Sequence, residues 1–335
     1  WLCTMTTGPG REGHEAQHVV STFSPDQGRT WGPLVDIEPH GPPEASWIVP
    51  IVTDFGRVYG FYTFNGDNVR TLKGKNIRAD VIGWYAYRYS DDRGKTWSDR
   101  YRLPLRVTAA DRGNDFQGKV QIFWGIDKPT VVDGDAMFAF TKLGKFMLDL
   151  GEGWFYRSDN LMTERDPDKL RWQLLPDGDR GVRNEAFNSV QEEHNFVRLG
   201  DGTLYCVSRT AEGFPACSYS RDGGRTWTEP QAMTYTPGGR SIKTPRACPK
   251  VWRTRGGTVL VWCHTTPGRG VVAGPIRNPV WITGGVEREG LIHWAQPEIL
   301  LYDDVVKRGS SDPDLVEQDG RYWFSETQKT IARVL

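Results

Sequence analysis

The chain has 335 residues with 42 basic and 42 acidic side chains, so its formal charge is zero and no basic field recommends a nucleic-acid partner. No stretch is apolar enough to cross a membrane as a helix. The 38 glycines, 21 prolines and 14 tryptophans suit a chain of many strands and turns, with apolar surface buried between successive sheets rather than in one large core.

In chain order, Trp1 to Thr7 reads as a strand, and the first marker follows at Ser24 to Trp31. This octapeptide, Ser-x-Asp-x-Gly-x-Thr-Trp, returns at Ser90 to Trp97 and at Ser220 to Trp227. Ser and Asp oxygens can bond nearby backbone N–H groups, Gly supplies a conformation that a Cβ resists, and Thr and Trp begin the returning strand. A large indole at a repeated position suggests a wedge between neighbouring sheets. A degenerate copy starts at Ser158, Asp159, Asn160 and reaches its indole at Trp172, and Trp294 opens a further Trp-Ala-Gln-Pro-Glu. The tryptophans at 31, 97, 172, 227 and 294 are thus 66, 75, 55 and 67 residues apart, room for one four-stranded unit in each interval. Gly turns at Asp54-Phe55-Gly56, Asp133-Gly134, Asp201-Gly202, Gly256-Gly257 and Asp319-Gly320 read as tight hairpins inside those units.

The octapeptide is the Asp-box, or bacterial neuraminidase repeat, and on it the chain resembles the sialidase-like β-propellers. The expected fold is therefore all-β, a six- or seven-bladed propeller of four-stranded antiparallel blades forming a single domain over 1–335. The approximate units are 1–38, 46–104, 118–178, 188–233, 245–302 and a partial 308–335, with the chain cut inside a blade at both ends. In the best-marked unit the strands are expected at His194 to Leu199, Thr203 to Arg209, Ala216 to Ser220 and Glu229 to Met233.

The resemblance implies that Asp-boxes lie away from the active face. Residues at the opposite strand ends and long loops are the candidates: Arg11, Glu12, His14, His18, Trp47, Tyr62, Lys128, His194, Arg209, Arg246, His264, Glu326 and Lys329. Their cations suit an anionic sugar, sialate or uronate, because guanidinium groups engage carboxylates through two bonds. For Arg209 and Arg246 the alternative is an ordinary ion pair to Glu192, Glu193 or Glu212. His18, and second His14, can exchange a proton near neutral pH.

Exo-sialidases combine Asp-boxes with three arginines, an acid/base Asp in an early loop and a Tyr nucleophile assisted by Glu. Arg209 stands where a sialidase arginine often does, but the first variable loop offers Glu12 and Glu15 in place of the Asp. The chain looks closer to the propellers that attack uronate-containing polysaccharides, including ulvan lyases and enzymes that remove rhamnose linked to glucuronate. That likeness implies His18 as base, Tyr62 as acid and Arg209, Arg246 or His264 as the group neutralising a carboxylate; Trp47, Lys128, Glu193 and Lys329 are the residues expected to bind substrate. The expected function is cleavage of an acidic oligo- or polysaccharide by a secreted or periplasmic lyase. The alternatives are an exo-α-sialidase and a non-catalytic glycan-binding propeller.

No cofactor is required by this chemistry. Of the five cysteines, Cys206 and Cys217 fall nearly opposite each other on adjacent strands, with His194 at a similar height, and Cys248 and Cys263 flank another turn. A structural zinc on His194, Cys206 and Cys217, a disulfide, and buried thiols are the three readings.

Overall fold

The structure is a computed structural model and describes residues 1–147, 149–265, 277–305, 309–326 and, by their backbone, 333–334. It is all-β with antiparallel sheets. Its internal contacts divide the chain, expected as one domain, into two compact units, Trp1–Gly181 and Val182–Leu335. No helix among the described residues is long and apolar enough to cross a membrane.

In the first unit, strands Leu2–Thr7, His18–Phe23 and Val35–Asp36 form a three-stranded sheet. Ala45–Val52, Val58–Phe64, Ile82–Ser90 and Tyr101–Leu103 follow in consecutive antiparallel pairing. Thr130–Val132, Asp135–Lys145, Asp149–Ser158 and Gln173–Leu175 repeat that pattern. The two four-strand groups are not separate as the spacing suggested. A short strand, Gln121–Trp124, pairs with Ile82–Ser90 on one side and Asp135–Lys145 on the other, joining them into one nine-stranded sheet. Aromatic side chains of both groups, among them Phe61, Tyr85, Phe138, Phe140 and Tyr156, bury one continuous core.

In the second unit, Gln191–Arg198, Leu204–Thr210, Ala216–Ser220 and Gln231–Ala232 form a four-stranded sheet, close to the four strands expected there. Lys250–Arg253, Val259–Cys263, Val280–Arg288 and Glu298–Leu301 form the next, with Leu291–Trp294 folded back on Val280–Arg288. Asp314–Gln318, Arg321–Ser325 and Arg333–Val334 form a third.

The Asp-boxes hold themselves by side-chain bonds. Ser24 Oγ donates to Asp26 Oδ1 at 2.9 Å and accepts the Gly28 N–H at 2.7 Å, while Asp26 accepts the Thr30 N–H at 2.8 Å and its hydroxyl at 2.7 Å. The same four bonds recur around Ser90 and Asp92 and around Ser220 and Asp222. The bonds from Thr30 and Ser24 pull Asp26 down to about 2, and the Thr96 hydroxyl does the same to Asp92. Gly94 sits at φ 82°, and a Cβ there would fall 2.6 Å from Leu2 of the first sheet, so close approach as well as conformation requires glycine. In the degenerate copy Asn160 takes the place of Asp. Its Oδ1 accepts the Arg171 N–H at 2.9 Å across an eleven-residue gap, and Ser158 accepts the Leu161 N–H at 3.1 Å.

The indoles do not all behave as wedges. Trp97 packs on the core between the first two sheets, and its Nε1 donates to Ser21 Oγ at 3.1 Å. Trp172 packs on the aromatic core and Trp294 is buried in the second unit. Trp31 instead remains 45% exposed, so the expectation fails there.

Candidate functional site

The second unit contains a group of buried, mutually paired charges. It begins with a backbone irregularity. Glu192 pairs with Arg209 and Asn195 with Val207, so three steps on the inner strand face two on its partner, a β-bulge. Glu193 supplies the extra residue at φ 54°. Asn195 locks the bulge in place, donating to Glu193 O at 2.9 Å and to Pro249 O at 2.7 Å, and accepting the Val251 N–H at 2.9 Å.

The bulge gives one guanidinium two carboxylates. Arg209 donates through Nε (2.9 Å) and Nη2 (2.5 Å) to Glu192 Oε2, and its Nη1 lies 2.5 Å from Glu193 Oε1. Arg246 Nη2 reaches both Glu192 oxygens, at 3.2 and 3.1 Å. Arg277 donates to Arg246 O at 3.5 Å and to Ser311 Oγ at 2.9 Å, which ties the Ser310-Ser311-Asp312 segment to the cluster. His264 Nε2 and Ser310 O are 3.0 Å apart on the same segment. Glu192, Glu193, Arg209, Arg246 and His264 are all buried.

The electrostatics follow from burial. Burial pushes the Glu193 carboxyl up to about 7 against the pull of Arg209, with repulsion from Asp312 and Glu192 added. Burial likewise drives the His264 and His194 imidazoles down to about 3, so both are neutral at physiological pH and neither is a cation for a carboxylate. Among the guanidinium and carboxylate groups of the cluster, three atoms are buried with no hydrogen-bond partner: Arg246 Nε, Arg277 Nε and Glu193 Oε2. Two donors and one acceptor of the cluster are thus unmet.

Of the residues expected from sequence, the structure brings Arg209, Arg246 and Glu193 into this cluster, and the ion pairs to Glu192 and Glu193 weighed as the alternative are present. Arg277, Ser311 and Asp312 were not foreseen. Arg277 was legible in principle, because in sequence it lies between Val259–Cys263 and Val280–Arg288, in the kind of long connection expected to carry the site. Lys329 lies outside the described residues. Glu326 is buried near the end of the last described segment.

The remaining candidates belong to the first unit. His18 opens its strand with Nε2 3.2 Å from Asp36 Oδ1 and its ring edge-on to His40 at 5.2 Å. His14, Arg11 and Glu12 are exposed in the preceding loop, where His14 borders an open hollow of 480 Å³ with Pro9, Gly10, Gly13 and Glu15. Tyr62 is fully buried, and its hydroxyl donates to Glu38, a buried carboxylate that also accepts from Arg88 (3.0 Å) and Arg100 (2.6 Å). Burial and the Glu38 charge push that hydroxyl well above its ordinary value, so in this arrangement it holds its proton. Trp47 sits at φ 63° in a bulge of its own strand and packs on a core with Val81, Ile82 and Trp124. Lys128 is half-buried.

The cysteines do not face one another as expected. Cys206 pairs with Ser218 and Cys217 with Val207, one register apart, so their side chains point to opposite faces of the sheet. All five cysteines are free thiols, and among the described residues no group of three or more His, Cys, Asp and Glu is arranged to hold a metal.

The fold is similar to that of several solved proteins, each aligned over 98% of this chain. They include a Hadza microbial sialidase at 17% identity and TM-score 0.64. The leech intramolecular trans-sialidase complexed with 2,7-anhydro-Neu5Ac aligns at 14% and 0.66, and the intramolecular trans-sialidase of Ruminococcus gnavus in complex with oseltamivir carboxylate at 15% and 0.64. The chain spans 61%, 63% and 87% of those proteins. No family model and no curated protein sequence matches the chain. The likeness establishes a sialidase-like fold.

Proposed function

We propose that this is a sialidase-like, glycan-cleaving protein whose second unit takes the carboxylate of an acidic sugar, sialate in the first instance. The observation that carries the reading is the pair of buried guanidinium N–H groups, Arg246 Nε and Arg277 Nε, that have no acceptor. They stand beside Arg209, whose guanidinium is already bonded to Glu192 and lies against Glu193. A carboxylate offers two acceptor oxygens and a full negative charge to such donors. Two of the similar folds are known with carboxylate ligands, 2,7-anhydro-Neu5Ac and oseltamivir carboxylate. In this reading the sheets are blades of a six- or seven-bladed propeller, and the glycan is met outside the cell by a secreted or periplasmic protein.

A lyase acting beside a uronate is the second reading. What favours it is His18, with Nε2 held by Asp36 while Nδ1 is buried with no hydrogen-bond partner. Two assays separate the readings: release of fluorophore from a fluorogenic sialoside supports the first, and a rise in ultraviolet absorbance from unsaturated uronate on an acidic polysaccharide supports the second. Binding of acidic sugars without either product leaves a glycan-binding module and removes both cleavage readings.

A further inference from the structure

Between Asp67 and Asp80 the first unit runs through four cations, Arg70, Lys73, Lys75 and Arg78, with no acidic and no aromatic side chain among them. Thr71–Leu72 and Lys75–Asn76 pair there as a hairpin that forms its own two-stranded sheet. Its base is fixed. Val69 and Ile77 pack on the core with Val81 and Ile122, the Ile77 N–H donates to Arg70 O at 3.0 Å, and Asn65 bonds both backbone groups of Val69 at 3.1 and 3.0 Å. Arg70 pairs with Glu44 and Arg78 with Asp80, carboxylates whose side chains are 1% exposed, and Arg78 also donates to Glu12 at 2.7 Å. The arginine charges are thus met at the root.

The lysines stand at the other end. Lys73 and Gly74 make the turn at φ 51° and 75°, a geometry in which Asn is favoured at the first position and a long side chain is strained. A lysine held there at that cost, with nothing packed around Gly74, points to a use for its charge. Lys73 is 78% exposed with Nζ 3.2 Å from Asp115, and the exposed Lys75 has no acidic partner among the described residues.

We propose that this hairpin is a docking arm for an anionic polysaccharide, with Lys73 and Lys75 meeting acid groups along the chain. The choice of a sugar polymer rests on the reading of the protein as glycan-cleaving. One exposed ion pair is worth less than about 1 kcal/mol, too little to hold a single sugar, whereas a polymer with repeated acid groups engages both lysines at once. Nucleic acid fits less well, because the arm carries no aromatic ring on which a base could stack and the chain as a whole has no net charge.

Retention of the intact protein on immobilised polygalacturonate, with uncharged dextran as control, tests the proposal. Wild type should bind the acidic polymer and not dextran, less tightly as salt is raised. K73N/K75S keeps a turn sequence that suits the hairpin and removes both charges. It should bind polygalacturonate about 3- to 30-fold more weakly, the worth of two exposed ion pairs. K95S/K169S, which removes two exposed lysines elsewhere in the same unit, should bind like wild type. A wild type that ignores polygalacturonate overturns the proposal, as does a K73N/K75S that binds unchanged or a K95S/K169S that loses as much. Double-stranded DNA retained as tightly, and lost in the same variant, overturns the choice of a sugar polymer. If N-acetylneuraminate is not bound while the polymer is held through Lys73 and Lys75, the carboxylate reading of Arg246 and Arg277 fails and the arm stands.

Discussion

Replacing Glu192 by Ala removes the counter-charge that two buried arginines share. Glu192 is fully buried, Arg209 is 7% and Arg246 8% exposed, and the three are joined by four hydrogen bonds. Arg209 keeps Glu193 in the variant, but Glu192 is the one carboxylate bonded to Arg246 among the described residues. Removing one partner of a buried pair leaves an uncompensated charge in low dielectric, which costs about 3–5 kcal/mol. For a unit of 150–250 residues each kcal/mol lowers Tm by about 2–4 °C, so E192A should melt about 6–20 °C below wild type. E192Q, which keeps the shape and one acceptor, should fall between them. Thermal unfolding followed by circular dichroism reads the difference. A loss below about 1 kcal/mol, the size of an exposed pair, would show that water already solvates these arginines and that the cluster is not a buried site.

Other expectations follow from the same geometry. W97A, which empties the contact between the first two sheets, should cost about 2–3 kcal/mol in chemical denaturation, below the full cost of truncating a wholly buried indole, while W31A should stay within about 0.5 kcal/mol. Equal effects would refute the distinction drawn between a packed and an exposed Asp-box indole. His264 is held neutral at about 3 when folded and takes a proton near 6.5 when unfolded. Its contribution to stability is therefore full above pH 6.5 and is lost as pH falls from 6.5 toward 3. The stability of wild type relative to H264Q should shrink between pH 7 and pH 5 in urea denaturation, and a constant difference would contradict the buried, neutral assignment.

The Asp-boxes were legible because their chemistry is local. Ser, Asp, Gly and Thr satisfy one another within seven residues, and the degenerate copy at Ser158 keeps the Ser and backbone bonds with Asn160 in place of Asp, but has an Arg where the Thr hydroxyl would bond. What the indole meets is not local, which is why Trp97 is packed and Trp31 is not. The bulge at Glu193 was hidden for a different reason. Gln191-Glu192-Glu193-His194-Asn195 is five consecutive polar residues, all buried, so there is no apolar alternation from which to read a register. The same blindness placed Cys206 and Cys217 side by side when one register step separates them. Arg277 escaped notice because it follows a Gly- and Pro-rich stretch of sequence, whose spacing carries no face information. The joining strand Gln121–Trp124 is only four residues long and lies between two well-marked units, so periodicity could not reveal that it belongs to both.

The claim on which the functional account stands is that Arg246 and Arg277 receive a sugar carboxylate. Calorimetric titration of wild type and R277A with N-acetylneuraminate, glucuronate and neutral galactose measures this directly. The account predicts that an acidic sugar binds, that galactose does not, and that R277A weakens the acidic sugar about 10- to 100-fold, the worth of one charge-assisted contact. Binding that ignores the carboxylate, or that is unchanged in R277A, would contradict it.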